Sequence, residues 1–263
     1  MIPRRLVYFG LVTSLGFGIV QSFDANAQTI TLGPVADTSI YSAFPTFNFG
    51  GGTTLTAGGR PRGGESRALM LFDIDANLPA GAIIQSVSLR LNVVETPPSG
   101  AVNSIFDLNV LTASWGEGTG ADRGGTLAGG NAATWNNRFG TSGSPWATPG
   151  GDFLSTLAAS VSVQGNGSYI FLSNPNLVAT VQSWADDPAG NFGWLLRSES
   201  ELTESTIRRF GSRLDGASAP LLTIQYTTVP EPGACSLLML GLFGFAWRRR
   251  APSGQRSLDQ AGM

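Results

Sequence analysis

The sequence predicts an all-β chain: a jelly-roll-like β-sandwich with one short helix, plus an N-terminal signal peptide and a C-terminal single transmembrane tail. Three observations predict it. Apolar and polar residues alternate with period two through the middle of the chain, 35 glycines punctuate that pattern, and an apolar run lies beside an Arg cluster at each end. The 263 residues suffice for one β-rich domain with flanking segments.

Residues 1–27 have the pattern of an export signal. Arg4 and Arg5 form a positive n-region, Leu6 to Val20 are mostly apolar, and Ala25-Asn26-Ala27 is a small-x-small processing site. Cleavage is expected between Ala27 and Gln28.

Residues 28–228 are expected to form the domain. They hold 10 Arg, 15 acidic residues and no Cys, so packing alone must hold the fold outside the cytoplasm. In Ser86 to Val93, the residues Val87, Leu89, Leu91 and Val93 face one way and polar residues the other, a half-buried strand. Phe106, Leu108 and Val110 repeat the pattern, as do Leu222, Ile224 and Tyr226. Ala68 to Ile74 is apolar on both faces and reads as a central strand. Val161 to Gln164 and Tyr169 to Leu172 flank Gly165-Asn166-Gly167, which predicts a hairpin. One helix is expected: Asn174 caps it, Pro175 suits its first position, and Leu177, Val181 and Trp184 share a face up to Asp186-Asp187-Pro188. Strands at Gly193 to Arg197, Thr206 to Arg213 and Leu221 to Tyr226 bring the expectation to nine or ten.

The tail, 229–250, runs Val229-Pro230-Glu231-Pro232, then the 14 apolar residues Ala234 to Trp247, then Arg248-Arg249-Arg250. A helix of that apolar run would span roughly 21 Å, and adding Val229 to Gly233 brings it near membrane length. The Arg cluster would stay cytoplasmic. Cys235 reads as an apolar residue facing lipid, and 251–263 is a polar extension. This order of elements resembles the PEP-CTERM sorting tail of exported Gram-negative proteins. The resemblance implies an exosortase-type processing enzyme as partner and transient anchoring in the inner membrane. Delivery to the cell surface or extracellular matrix would follow.

A second resemblance spans Val35 to Thr227. Ala36-Asp37-Thr38-Ser39-Ile40, Asn48-Phe49-Gly50, Arg67 to Asp75 and Leu78-Pro79-Ala80-Gly81-Ala82 carry its first half. Ser114 to Gly118, Thr134 to Asn137, Gly193 to Arg197 and Arg208 to Arg213 carry the second. Together they resemble the DNRLRE domain, which implies a secreted, non-catalytic β-sandwich related to disaggregatase-associated and carbohydrate-binding modules. The stretch Asn137 to Leu154 is longer than that resemblance leads one to expect.

Composition excludes several chemistries. All 16 basic residues are Arg and there is no His, which removes His-based nucleophile systems, the commonest zinc ligand and Schiff-base lysines. One Cys leaves no disulfide framework. Without a basic excess, nucleic acid is not an expected partner. Gly116-Glu117-Gly118-Thr119-Gly120 lacks the strand and helix of a nucleotide loop. The remaining acid/base candidates are Asp73 with Asp75 on one strand face, Asp186 with Asp187, and Glu199, Glu201 and Glu204. Turns, solvation or pairing with Arg208 and Arg209 account for them. No cofactor is expected; a structural Ca²⁺ on Asp37, Asp73 or Asp186 has no supporting motif.

Ala113 to Asp152 is a 40-residue stretch with 11 Gly and three of the six Trp. A long loop of this kind in a compact domain is more often functional than a plain connection. Trp115, Trp135 and Trp146, with Asn136 and Arg138, could contact a sugar; the other reading is that the indoles pin the loop to the sandwich. The expected function is that of an exported, non-catalytic envelope or exopolysaccharide-matrix protein that binds polysaccharide. Alternatives are a polysaccharide-degrading enzyme or an ice-binding or structural matrix protein.

Overall fold

The computed structural model describes residues 27–121, 123–142 and 144–228. The signal segment before Ala27, the Pro-Glu-Pro tripeptide, the apolar run, Arg248 to Arg250 and the polar extension lie outside them. Among the described residues no helix is long and apolar enough to cross a membrane.

The strands in chain order are β1 (Gln28–Leu32), β2 (Ala36–Tyr41), β3 (Phe47–Asn48), β4 (Thr54–Gly59), β5 (Glu65–Leu71), β6 (Ala82–Glu95) and β7 (Ser104–Leu111). They continue with β8 (Thr126–Leu127), β9 (Phe153–Val163) and β10 (Gly167–Phe171), then the helix α1 (Pro175–Asp186). After it come β11 (Trp194–Ser198), β12 (Arg208–Gly211) and β13 (Leu221–Thr228). The described residues are all-β apart from α1 and short 3₁₀ turns, and their pairings are antiparallel.

One sheet is built on β6. β13 and then β12 run in line along one of its edges, β10 takes the other, β1 flanks β13, and β4 flanks β12. The second sheet has the order β2-β5-β11-β7-β9. Gly58 and Gly59 at the end of β4 pair with β5, so β4 joins the two sheets into one curled sandwich.

Alternation decides the core. Val87, Leu89, Leu91 and Val93 from the first sheet and Ala68, Met70, Phe106, Leu108, Trp194 and Leu196 from the second form one apolar layer. Helix α1 closes the layer with Leu177, Val181 and Trp184, whose ring centroid lies 4.6 Å from that of Trp194. Its start follows the sequence signals: the Asn174 side chain accepts from the amides of Asn176 and Leu177. The helix also blunts an edge. β10 covers only Leu89 to Val93, and farther along β6 the Ile84 amide donates to Gln182 Oε1 and the Val87 amide to Ser173 Oγ.

The doubly apolar β5 has a direct explanation. Ala68 and Met70 face the main core, whereas Leu69 joins Ile40, Leu111, Leu195, Ala133, Trp135 and Trp146 in a second cluster on the outer face. The expected hairpin at Gly165-Asn166-Gly167 is a correction. β9 pairs with β7 in one sheet and β10 with β6 in the other, so the turn arches between sheets. Side chains satisfy it in place of a two-strand ladder. Tyr169 Oη donates to the Gly165 carbonyl and accepts from the Gln164 amide, and Asn166 donates to the Val94 carbonyl. β1, β2, β4 and the full length of β9 also exceed the expected set of strands.

Candidate functional site

Residues 113–152 form a folded cover over the second cluster. Strand β8 pairs with β3, and bridges join Glu117 to Ala132 and Asn137 to Pro145. Asn48, 1% exposed, ties the cover down: its amide nitrogen donates to Thr38 Oγ1 and to the Glu117 and Ala133 carbonyls. Its oxygen accepts from the Gly50 and Gly120 amides. Asn48-Phe49-Gly50 stands out in the sequence, but its partners Glu117, Gly120 and Ala133 are too distant along the chain for local pattern to give Asn48 this role.

The three Trp side chains sit within this packing. Trp146 is 3% exposed and donates its Nε1 to the Thr134 carbonyl at 2.9 Å. Trp135 is 9% exposed, with the Arg67 guanidinium 4.9 Å from its ring centroid. Trp115 is half-buried and donates to the Phe192 carbonyl. Asn136 and Arg138 are half-buried, and the Arg138 guanidinium lies over Phe139. The ring faces of Trp135 and Trp146 are thus covered by the protein itself. Of the five candidates, Trp115, Asn136 and Arg138 keep exposed surface.

Arg67 fastens the far end of the cover. It makes a bidentate pair with Glu201 at 2.7 and 3.0 Å and donates to the Gly150 carbonyl at 2.8 Å. Gly150 and Gly151 adopt φ of +99° and +108°, and a Cβ on Gly150 would press into Arg67 and Trp135. Arg197 also reaches Glu201, so the nearly buried carboxylate has two guanidinium partners. The expected carboxylate pairings change accordingly. Glu201 pairs with Arg67 and Arg197, and Arg208 spends its donors on backbone carbonyls. Asp73 and Asp75 lie beyond the end of β5, where Asp73 accepts from the Ala76 amide in a 3₁₀ turn, so they do not share a strand face.

A second ionic cluster links β2, the cover and the segment after β12. Asp37 is 1% exposed and accepts from the Arg213 amide at 2.6 Å, while Arg213 pairs bidentately with Glu117. Burial raises the Asp37 carboxyl from 3.8 to about 7; the Glu117 charge adds to the rise, and Arg213 opposes it. The folded state therefore holds a proton that the unfolded chain releases. Stability from this group is present below pH 3.8 and is lost as pH rises through 7, a difference of roughly 4 kcal/mol. Asp37→Asn keeps the acceptor oxygen and removes the charge. Melting curves of the full chain in detergent should coincide near pH 4 and separate as pH rises, with the Asn variant the more stable at pH 8. A less stable Asn variant at pH 8 would show that the charge is held favourably.

Among the described residues no group of three or more Cys, Asp or Glu side chains is placed to hold a metal ion. Of the three calcium candidates, Asp37 is held by Arg213, Asp73 caps its turn, and Asp186 accepts from Gln182.

Thr228 ends β13, and Gln28 opens β1 opposite Tyr226, whose hydroxyl donates to Gln28 Oε1 at 2.8 Å. Both ends of the domain thus lie together. Residues 228–250 match the family model of the PEP-CTERM protein-sorting motif. The match takes in Pro230, Glu231, Pro232 and Arg248 to Arg250, and it begins where the last strand ends. It implies an exported protein, anchored transiently in the membrane, processed by an exosortase and sorted to the cell surface. No curated protein matches the chain.

Proposed function

We propose that this chain is a non-catalytic polysaccharide-binding protein of the cell envelope or its exopolysaccharide matrix, delivered there through its C-terminal sorting motif. The observation that carries the reading is the passage of β13 straight into that motif, which makes the sandwich the part that sorting delivers. The resemblance of Ala36 to Ile40, Arg67 to Asp75 and Arg208 to Arg213 to the DNRLRE domain supports the carbohydrate ligand.

The carboxylate arrangement supports a binding role over hydrolysis. Glycoside hydrolysis uses two carboxyl groups facing each other across a cleft. Here the buried Asp37, Asp107 and Glu201 are engaged by Arg213, Ser160 and the Arg67–Arg197 pair. The test is co-sedimentation of the full chain, in detergent, with cell-extracted matrix polysaccharide while reducing ends are assayed. Retention without product is the expected result. Accumulating reducing ends, or no retention, would overturn the proposal.

A further inference from the structure

The domain carries more acid than base, yet its guanidinium groups are not spread evenly. The β4–β5 hairpin tip, the segment after β6 and the start of β12 enclose a groove of about 430 Å³, lined by Arg60, Arg62, Arg209, Glu95 and the rigid Pro97 and Pro98. Arg208 also contributes to its wall, with its guanidinium donating to carbonyls of the surrounding backbone. The one carboxylate in the lining, Glu95, already has two cationic neighbours: Arg123 at 2.7 Å and Arg209 at 3.8 Å. Among the described residues that line the groove, Arg60, Arg62 and Arg209 share it with the one carboxylate of Glu95, in a domain with 15 acidic residues and 10 Arg.

Two features distinguish Arg60 and Arg62. The Arg60 guanidinium lies 4.8 Å from the ring centroid of Phe44 and 5.4 Å from that of Tyr41, which orients it. Arg62 adopts φ +78° between Pro61 and Gly63, a conformation that a glycine would take without strain. The turn thus holds an arginine side chain where the backbone favours none.

The groove is also placed at a definite end. Thr228, where the sorting motif begins, pairs with Ala82 at one end of β6, and Glu95 is at the other, about 45 Å along the strand. We infer that this Arg-lined groove, at the end of β6 remote from Thr228, binds the carboxylate groups of an acidic polysaccharide. Guanidinium forks match carboxylates bidentately, and several along one groove suit a polymer with a charge on each repeat. The lining has no aromatic side chain on which nucleobases would stack.

The inference rests on the proposed polysaccharide reading and narrows it to a charge class and a site. The test measures binding of the full chain, held in nanodiscs of neutral phospholipid, to polygalacturonate, to neutral dextran and to vesicles of anionic phospholipid, each at low and high salt. Polygalacturonate should bind best, weaken with salt, and bind roughly tenfold less well to Arg62→Gly and to Arg60→Gln. Arg62→Gly should melt no lower than the parent, because glycine relieves the positive φ, so its lost binding would not come from unfolding. Unchanged polygalacturonate binding in both variants, or equal binding of dextran, would remove the groove and leave the general polysaccharide reading standing. Binding to neither polysaccharide would remove both, and preference for the vesicles would replace them with a membrane surface.

Discussion

Replacing Arg208 with methionine is expected to prevent the domain from folding at 37 °C, or to lower its melting temperature by more than 10 °C. The side chain is fully buried and has no carboxylate partner among the described residues. Its guanidinium donates to six backbone carbonyls: Val102 after β6, Val163 and Gln164 at the end of β9, and Ser205, Thr206 and Ile207 before β12. Burial lowers its pKa, but the converging carbonyl dipoles keep a cation useful there. Methionine fills similar volume and removes the guanidinium from those oxygens, at about 1–3 kcal/mol for each one left with no other donor and kept from water; the Ser205 carbonyl keeps the Val102 amide. Even two or three such losses approach the whole stability of a typical domain, about 5–15 kcal/mol. Lysine should fail as well, because three donors on one nitrogen cannot reach three chain segments as a planar fork does. The measurement is thermal melting of the full-length variants by near-ultraviolet circular dichroism. Variants that melt within about 2 °C of the parent would contradict this role for Arg208.

Trp146→Ala and Trp135→Ala are the second large effect, each expected to cost about 3–5 kcal/mol. Both rings belong to the cluster between the outer face of β2, β5 and β11 and the 113–152 cover. Removing either leaves a cavity under a segment with little regular structure of its own. Trp146→Ala also leaves the Thr134 carbonyl without its indole donor, and Trp135→Ala strips the apolar floor from Arg67. The melting temperature should fall by roughly 10 °C, and limited proteolysis should cut within the cover first. Trp115→Ala should cost less, since that ring is only half-buried. Unchanged melting with several-fold weaker retention on polysaccharide would instead make the indoles contact residues.

Local pattern marked much of the sandwich. The alternation in Ser86 to Val93 identified the buried face of β6, the two-faced apolar run at Ala68 to Ile74 marked β5 as central, and Asn174-Pro175 placed the start of α1. Strands such as β4, with its Thr, Ala and Gly residues, carry weak periodicity and were not legible. Their place comes from pairing with β5 and β12. The candidate site was legible only as a region. The 113–152 stretch stood out, but whether its Trp faces point to solvent depends on Leu69, Leu195 and Ile40 beneath them.

The sequence by itself determined that residues 28–228 are β-rich with one capped helix, that no His or Lys chemistry operates, and that a sorting tail follows the domain. Each of these depends on residue identity or on spacing within about a dozen positions. Only the tertiary structure decided that Gly165-Asn166-Gly167 crosses between sheets, that Arg67 meets Glu201 and Asp37 meets Arg213, and that Arg60, Arg62 and Arg209 share a groove. Period-two patterning encodes which face of a strand is buried but not which strand lies beside it. Arg67 and Glu201 are 134 positions apart, and charges that distant find one another only after strand order has brought them together.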